Sequence, residues 1–302
     1  MNLKGWIIYN GYLPGAKFRD FAEWIHEAAQ RQDVHTEIYK NNELLSLLST
    51  DELGIVNNPN NLLPDFVVFT DKDIYLARQL ELLGVRVYNS ARTIETSDDK
   101  IATYQAMAAQ GLPVPRTVVA PKVFVRTDTF KPTDFDQAAD TLGFPMVIKE
   151  AFGSFGEQVY LVHSSDELHT KVHALQGRPF MLQEFVSSSS GRDIRLQVVG
   201  DNVVAAMARF AADDFRANVT AGGTMENYHP TTEEKSTAIA AAKAIGADFA
   251  GVDLLFGPDD TTIICEINSN AHIRNLYDCT GINAADFIIS HILKTLPGGE
   301  HS

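Results

Sequence analysis

Two acidic side chains and one amide near the carboxyl end of the sequence have the spacing of a metal site. Predicted strands at 252–256 and 262–268 flank a turn rich in Gly, Pro and Asp, which predicts a hairpin. In a hairpin symmetric about this turn, Asp253 faces Glu266, and Asn268 shares the face of Glu266 because side chains alternate. Two like charges between apolar strands would repel, so a cation between them is the natural compensation, and hard oxygen ligands favour Mg2+ or Mn2+. A pair of exposed carboxylates on an edge hairpin is the alternative.

A lysine followed by a glycine-rich connection forms the second candidate site. Lys149 lies in an apolar strand predicted at 146–150, and Gly153, Ser154 and Gly156 follow it. Glycines let backbone N–H groups approach an anion closely, and a lysine supplies a point charge for phosphate. The spacing matches neither a Walker A loop nor a dinucleotide fingerprint, and an ordinary flexible hairpin is the alternative.

Three arginines form the third candidate site. The turn at 200–202 sets Arg209 nearly opposite Asp193, and Arg195 shares the face of Asp193 by alternation. A surface ladder of salt bridges would give the same pattern. Arg216 follows in a loop that contains glycines, where a clamp on phosphate or carboxylate is favoured because a guanidinium offers bidentate donors.

The elements that must position these residues fall into three segments. Strand–helix–strand patterns occur at 6–9, 18–31 and 36–39 and again at 66–70, 72–83 and 86–88, so residues 1–96 predict an open α/β domain. A helix predicted at 97–110, capped by Ser97, ends at Gly111 before two prolines and marks a boundary. Residues 97–186 predict a small central domain with the glycine-rich connection. Residues 187–302 are predicted to form a domain dominated by antiparallel sheet. This domain carries Asp253, Glu266 and Asn268, which we call the hairpin site.

Composition excludes several classes of function. The chain has 302 residues, 45% of them hydrophobic, which is typical of a globular protein of two or three domains. A net charge of −14 argues against a nucleic-acid partner, because neutralising phosphates requires a basic face. Cys265 and Cys279 match neither a disulfide framework nor a zinc spacing and predict a reducing, cytoplasmic location. No stretch approaches the ~20 apolar residues of a membrane span, so no membrane partner is expected.

Taken together, these residues resemble the ATP-grasp superfamily and, within it, the RimK-like α-L-glutamate and amino-acid ligases. The resemblance runs through most of residues 97–295. It rests on the following runs in this order: Asp99-Lys100, Val147-Ile148-Lys149, Gln183-Glu184-Phe185-Val186, Asp193-Ile194-Arg195, Val198-Val199-Gly200-Asp201, Asp214-Phe215-Arg216-Ala217-Asn218, Ala250-Gly251-Val252-Asp253 and Glu266-Ile267-Asn268. It implies an ATP-grasp fold of class α/β (α+β), with an N-terminal open α/β pre-ATP-grasp domain, a central nucleotide-binding domain and a C-terminal antiparallel-sheet domain.

The resemblance also implies roles for individual residues. The implied ATP-binding residues are Lys100, Lys149, Ser154, Gly156, Gln183, Glu184, Phe185, Val186, Asp193, Arg195 and Asn218. Within this set the two lysines would contact phosphates, 184–186 would hold adenine as a hinge, and Asp193 would meet the ribose. Arg209 and Arg216 would be catalytic, beside the transferred phosphoryl group. Asp253, Glu266 and Asn268 would coordinate one or two Mg2+ (or Mn2+) ions.

The implied reaction is the ATP-dependent joining of a carboxylate to an amine through an acyl phosphate. The expected partners are a small-molecule amino acid, such as glutamate, and a peptide, protein or amino-acid acceptor, and a homo-oligomer is expected. An ATP-grasp kinase that stops at a phosphorylated product is one alternative. A nucleotide-binding module without turnover is the other.

The segment after Asn268 departs from the commonest family pattern. Many relatives continue through Ser-Pro-Gly, whereas this chain has Ser269-Asn270-Ala271-His272-Ile273-Arg274-Asn275. The segment is expected near the acceptor, so Asn270, His272 and Arg274 are candidate substrate contacts. A loop with only a structural role is the alternative.

Overall fold

The computed structural model describes residues 3–58, 62–153, 156–217 and 222–296. Its first part is built from β1 (Lys4–Tyr9), α1 (Ala16–Arg31), β2 (His35–Lys40), β3 (Ser46–Leu48), β4 (Leu53–Ile55), β5 (Phe66–Phe69), α2 (Ile74–Leu82), β6 (Arg86–Tyr88) and α3 (Ala91–Asp98). Four of these strands form a parallel sheet in the order β2-β1-β5-β6. All four residues of β5 are buried, as expected for a parallel strand covered on both faces. This is the open α/β arrangement that the sequence predicts.

The next part contains an antiparallel sheet. Its elements are α4 (Lys100–Ala109), β7 (Thr117–Val119), α5 (Asp136–Leu142), β8 (Met146–Glu150), β9 (Val159–Val162), α6 (Ser165–Ala174) and β10 (Phe180–Glu184). The strand order is β7-β10-β8-β9. Helix α6 has no counterpart among the predicted elements. It begins after Ser164, whose hydroxyl accepts a hydrogen bond from the N–H of Glu167 and so satisfies one free donor of the first turn.

The last part is built around a five-stranded antiparallel sheet. Its elements are β11 (Arg192–Val199), β12 (Asn202–Phe210), β13 (Thr224–Asn227), α7 (Thr232–Ala244), β14 (Phe249–Phe256), β15 (Thr262–Asn268), α8 (Arg274–Thr280) and α9 (Ala284–Thr295). The strand order is β13-β12-β11-β14-β15. Asp253 lies opposite Glu266 and Asp193 lies opposite Arg209, so both cross-strand pairs predicted from turn symmetry are confirmed.

The helix predicted at 97–110 is two helices. Helix α3 ends at Asp98, and α4 begins at Lys100. The carboxylate of Asp99 caps α4 by accepting from the N–H groups of Ile101 and Ala102. The prediction that Ser97 caps this helix is wrong, because the Ser97 hydroxyl lies in the last turn of α3 and contacts Ser269 instead.

Two hydrophobic clusters hold the sheets around a common cleft. The first contains Ile7 and Phe21 of the N-terminal part together with Phe249 and Ile288 of the C-terminal part. The second packs Met107 of α4 against the C-terminal sheet and α7. Residues that follow β5, α3 and β15 are thereby held at fixed positions relative to each other. Across the described ranges, no helix has the length and apolar character needed to cross a membrane.

Candidate active site

A cavity of about 980 Å3 lies where the parallel N-terminal sheet and the two larger antiparallel sheets meet. Every predicted site residue that the structure describes lines this cavity, whereas Ser154 and Asn218 lie outside the described residues. The lining residues from that set are Lys100, Lys149, Gly156, Gln183, Glu184, Phe185, Val186, Asp193, Arg195, Arg209, Arg216, Asp253, Glu266, Asn268, Asn270, His272 and Arg274. Residues that are as many as 174 positions apart, from 100 to 274, thus share one cleft.

Four alternating charges run across three neighbouring strands of the C-terminal sheet. The Arg209 guanidinium donates to both oxygens of Asp193, at 2.7 and 2.6 Å, and to Oδ2 of Asp253 at 2.8 Å. Arg195 donates to both oxygens of Asp253, at 2.6 and 2.7 Å. The two carboxylates and Arg209 are buried, so this is an internal charge network rather than a surface ladder. We call these four residues the charge network.

The two arginines determine the charge state of Asp253. Burial alone would raise the pKa of this carboxyl group, but Arg195 and Arg209 outweigh burial and lower the pKa to about 2. Asp253 is therefore ionised at neutral pH, and both of its oxygens already accept hydrogen bonds from arginine. A metal ion at Asp253 would have to share these oxygens with the two guanidinium groups.

Glu266 offers the more accessible oxygens of the hairpin site. Its side chain is 42% exposed, and its nearest cation is Lys100, whose Nζ lies 3.8 Å from Oε1. Lys100 also donates to the carbonyl of Gly153 at 3.0 Å, which connects α4 with the glycine-rich connection after β8. Burial lowers the pKa of Lys100. A lysine and a carboxylate thus face the cleft from two different parts of the fold.

Lys149 is buried and belongs to a network that the sequence analysis missed. Its Nζ lies 3.2 Å from the hydroxyl of Tyr104 and 5.3 Å from the centre of that ring. The Tyr104 hydroxyl donates to the carbonyl of Cys265 at 2.6 Å, which fixes the ring against β15. Tyr104 is four residues after Lys100 on α4, so helical periodicity places both on one face. That spacing is the signal that could have identified Tyr104.

The side chains of residues 183–185 contact other parts of the protein. Gln183 donates to the hydroxyl of Thr117 at 2.9 Å, and the carboxylate of Glu184 accepts from the backbone N–H of Arg116 at 2.8 Å. The ring of Phe185 meets that of Phe215 edge to face at 6.1 Å. Apolar side chains complete this end of the cleft, and they are Val147, Val159, Leu255 and Ile267. A cleft with these apolar walls suits a flat aromatic base, with the backbone of residues 184–186 at its edge.

Arg216 links two loops at the entrance to the cleft. Its guanidinium pairs with Asp214 at 2.7 Å and donates to the carbonyl of Gly156. The side chain is 34% exposed. Arg216 therefore lies beside the glycine-rich connection, as a phosphate clamp requires, but it is less buried than Arg209.

The other end of the cleft joins α1 to the segment after β15. Arg274 pairs with Asp20 through two hydrogen bonds and stacks on the ring of Trp24 at 4.7 Å. Nε2 of His272 donates to the carbonyl of Lys17 at 2.7 Å. Burial lowers the pKa of His272, which favours its neutral form. The nearest partners of these two predicted substrate contacts are thus residues of the N-terminal part.

The residues present fit a nucleotide and Mg2+. Lys100, Lys149 and Arg209 supply positive charge for phosphate oxygens, and Glu266 and Asn268 supply hard oxygen ligands. No group of three or more His, Cys, Asp or Glu close enough to hold an ion occurs within the described ranges. This agrees with the usual way in which proteins bind Mg2+, through one or two carboxylates together with phosphate oxygens.

Comparisons with known proteins agree with this geometry. Residues 97–292 match the RimK-like ATP-grasp domain. A probable alpha-L-glutamate ligase of Chromohalobacter salexigens is 37% identical over 224 residues, which is 72% of this chain and 70% of that protein. Human N-acetylaspartylglutamate synthase A is 29% identical, over 90% of this chain and 71% of its own. The ATP-grasp ligase PsnB, complexed with a phosphomimetic variant of its minimal precursor, Mg and ADP, has the same fold at 17% identity, with a TM-score of 0.69 over 97% of this chain and 99% of its own. The chain belongs to the RimK-like ATP-grasp family and is an ATP-dependent ligase that forms a carbon–nitrogen bond.

Proposed function

We propose that this enzyme joins the amino group of L-glutamate to a carboxylate of a peptide, a protein tail or a small acid. The observation that carries the proposal is the single cleft in which buried cations, accessible oxygen ligands and the edge of the N-terminal sheet meet. The names of the two relatives support glutamate as the amine, because both of those proteins are named for a glutamate-containing product or reaction. Several cations in the cleft of an acidic chain also suit two anionic substrates.

The reaction that we propose has two steps. In the first, a carboxylate oxygen attacks the γ-phosphorus of ATP, and the bond from that phosphorus to the bridging oxygen breaks, which releases ADP. In the second, the ammonium group of the amine loses a proton to solvent, and the neutral amine attacks the carbon of the acyl phosphate. The C–N bond forms, the nitrogen loses a second proton to the leaving phosphate, and that phosphate takes the electron pair of the broken C–O bond. Each step develops charge on phosphoryl or acyl oxygens, so positioned cations lower both barriers.

The side chains of the cleft would divide this work. Lys100 and Lys149 would bind phosphate oxygens, and the hinge at 184–186 would bind adenine. Arg209 would stabilise the acyl phosphate, and Asp193 would hold the Arg209 guanidinium in place through its two hydrogen bonds. Arg216 would close the entrance through its contact with the loop at Gly156.

The hairpin site would hold the metal. Glu266 and Asn268 would be the main protein ligands, and Asp253 would approach the ion while retaining part of its contact with arginine. When bound, one or two Mg2+ ions would neutralise phosphate charge.

We further propose that Asn270, His272 and Arg274 border the substrate pocket. The parallel N-terminal sheet and the two larger antiparallel sheets would correspond to domains at 1–96, 97–186 and 187–302. The protein would be a cytoplasmic homo-oligomer.

A screen for ADP release tests the proposed function. The enzyme is incubated with ATP, Mg2+ and L-glutamate against pools of N-acetyl amino acids, citrate, dipeptides and acidic peptides, and products are identified by mass spectrometry. We expect ADP formation that depends on both substrates and a product mass equal to the acceptor plus one glutamate minus water. A phosphorylated product that accumulates without an amine would favour a kinase. Turnover with another amino acid in place of glutamate would overturn the substrate assignment alone.

A further inference from the structure

The carboxyl edge of the N-terminal sheet contains a topological switch point. From β1 the chain passes through α1 to β2 on one side, whereas β5 lies on the other side of β1 and continues through α2 to β6. In open α/β sheets, ligands bind in the crevice outside the carboxyl ends of the two strands at such a point. Asn10 follows β1 directly, and Asp71 follows β5 after Thr70, so the two side chains flank this crevice.

Asp71 is a buried carboxylate whose hydrogen-bond partners are all neutral. It is only 6% exposed. Its oxygens accept from Nδ2 of Asn10, at 3.2 Å to each, and from Nδ2 of Asn41 at 3.4 Å. The oxygen of each amide accepts from a backbone N–H of the loop after β1, which directs each amide nitrogen toward Asp71.

No counter-ion compensates this charge within the described ranges. The neighbouring Lys72 forms an ion pair with Asp98, at 2.5 Å. By contrast, Asp193 and Asp253 each pair with at least one arginine. Burial raises the pKa of the Asp71 carboxyl group, and the neutral groups around it do not offset this effect. A buried carboxylate without a counter-ion lowers the stability of the fold unless a bound ligand supplies the positive charge.

A buried acceptor without a donor lies beside Asp71. Nδ2 of Asn270 donates to the backbone carbonyl of Asp71 at 2.5 Å, which fixes the orientation of the amide. Its Oδ1 is buried and has no hydrogen-bond partner among the described residues. The backbone N–H of Asn270 donates to Oδ1 of Asn268, so this acceptor is connected directly to the hairpin site. Asp71 and Asn270 both line the cleft.

We propose that Asp71 and the Oδ1 atom of Asn270 bind the ammonium group of the amine substrate. A primary ammonium offers three donors and a positive charge, which match one carboxylate and one amide oxygen. The contact through Asn270 places the bound nitrogen next to the hairpin site, where the acyl phosphate forms. This inference rests on the proposed function, but Asp71 lies outside the residues 97–292 that match the family.

Two matched substitutions test this role with two amines. Asp71→Asn removes the charge and keeps the shape. Asp33→Asn removes the same charge in the exposed loop after α1, at a position that is not among the described residues lining the cleft, and asparagine tolerates the positive φ of 58° there. L-glutamate enters as an ammonium, whereas hydroxylamine is largely uncharged at neutral pH and traps an acyl phosphate as a hydroxamate. The carboxylate is N-acetyl-L-aspartate or an acidic peptide, whichever the ADP screen turns over.

We expect Asp71→Asn to raise the KM for L-glutamate roughly tenfold or more, as for loss of a hydrogen bond to a charged group. The KM for ATP and the rate of hydroxamate formation stay within about twofold of wild type, since neither depends on an ammonium contact. Asp33→Asn leaves all three values within about twofold. Equal KM values for L-glutamate in the two variants overturn the inference. Absence of hydroxamate from the wild-type enzyme, with every carboxylate, contradicts the proposed function instead.

A binding measurement needs no turnover. Titration calorimetry with ADP and Mg2+ compares L-glutamate with glutarate, which lacks the amino group. The wild type and Asp33→Asn are expected to prefer L-glutamate by roughly tenfold or more, and Asp71→Asn is expected to lose this preference. If Asp71→Asn does not fold, Asn270→Ala takes its place and should show a smaller loss in the same direction. A wild-type enzyme that binds glutarate as tightly as L-glutamate, or binds neither, overturns the inference.

Discussion

The C-terminal and N-terminal sheets both bury carboxylates at the edge of the cleft, but they compensate the charge differently. In the charge network, Asp193 and Asp253 share two arginines across neighbouring strands. At the switch point, the hydrogen-bond donors to the Asp71 carboxylate among the described residues are the neutral amides of Asn10 and Asn41. A carboxylate that is paired inside the protein has its geometry before any substrate arrives, whereas an unpaired one depends on a ligand. We therefore propose that the C-terminal edge performs phosphoryl transfer and that the N-terminal edge recognises the amine.

The largest expected effect comes from breaking the charge network. Arg209→Gln leaves two buried carboxylates with only Arg195 to compensate them. We expect the free energy of unfolding, measured by urea denaturation, to fall by roughly 3–5 kcal/mol. The control is Arg78→Gln, which breaks a half-exposed pair with Glu95 and should lower it by less than about 1 kcal/mol. Equal losses in the two variants would show that the network is not the internal ion cluster described above.

Glu266→Gln tests the metal site without disturbing the network. The side chain is 42% exposed, so we expect little change in the free energy of unfolding. ADP formation should fall about 100-fold or more, and the Mg2+ concentration for half-maximal rate should rise, because a carboxylate ligand is lost. Glu233→Gln, in the first turn of α7, is the matched control and should keep the wild-type rate. Full activity in Glu266→Gln contradicts the metal assignment.

Tyr104→Phe tests how the network around Lys149 is held. The substitution removes the hydroxyl that contacts Nζ of Lys149 and the carbonyl of Cys265. We expect the KM for ATP to rise about tenfold, because Lys149 loses its fixed position. Tyr160→Phe, which removes a hydroxyl bound to Glu150 at 2.8 Å outside the cleft lining, should change this KM less than about twofold. An unchanged KM for ATP in Tyr104→Phe would remove Tyr104 from the site.

The smallest expected effect is at the contact between α1 and the segment after β15. Arg274→Gln breaks the pair with Asp20, but the arginine side chain is 43% exposed. The free energy of unfolding should fall by less than about 1 kcal/mol, and the KM for ATP should not change. A loss as large as that of Arg209→Gln would mean that this contact, and not the charge network, holds the cleft together.

The sequence predicts cross-strand pairs within hairpins better than pairs between distant segments. Asp253 with Glu266, and Asp193 with Arg209, could be predicted because short turns and the period of two determine which residues face each other. The sequence does not reveal that Arg195 pairs with Asp253, because that contact depends on β11 and β14 being neighbours in the sheet. Register within a hairpin is local, whereas strand order is not.

The N-terminal contribution to the cleft is the least predictable part. The α/β class follows from the repeated pattern, but the contact between Asp71 and Asn270 joins positions 199 residues apart. The residue that caps α4 cannot be predicted from the local sequence either. Ser97 and Asp99 are both good caps, and only the break after α3 selects Asp99. Clefts formed where sheets meet depend on how the sheets pack, and no single segment encodes that arrangement.

Transfer of 18O tests the reaction most directly. The acceptor carboxylate is labelled with 18O and incubated with ATP, Mg2+, L-glutamate and the enzyme, and the phosphate released is analysed by mass spectrometry. An acyl phosphate requires that one labelled carboxylate oxygen leaves with each phosphate, so we expect one 18O atom per phosphate formed and an amide product. Unlabelled phosphate together with ADP formation would contradict ligation through an acyl phosphate.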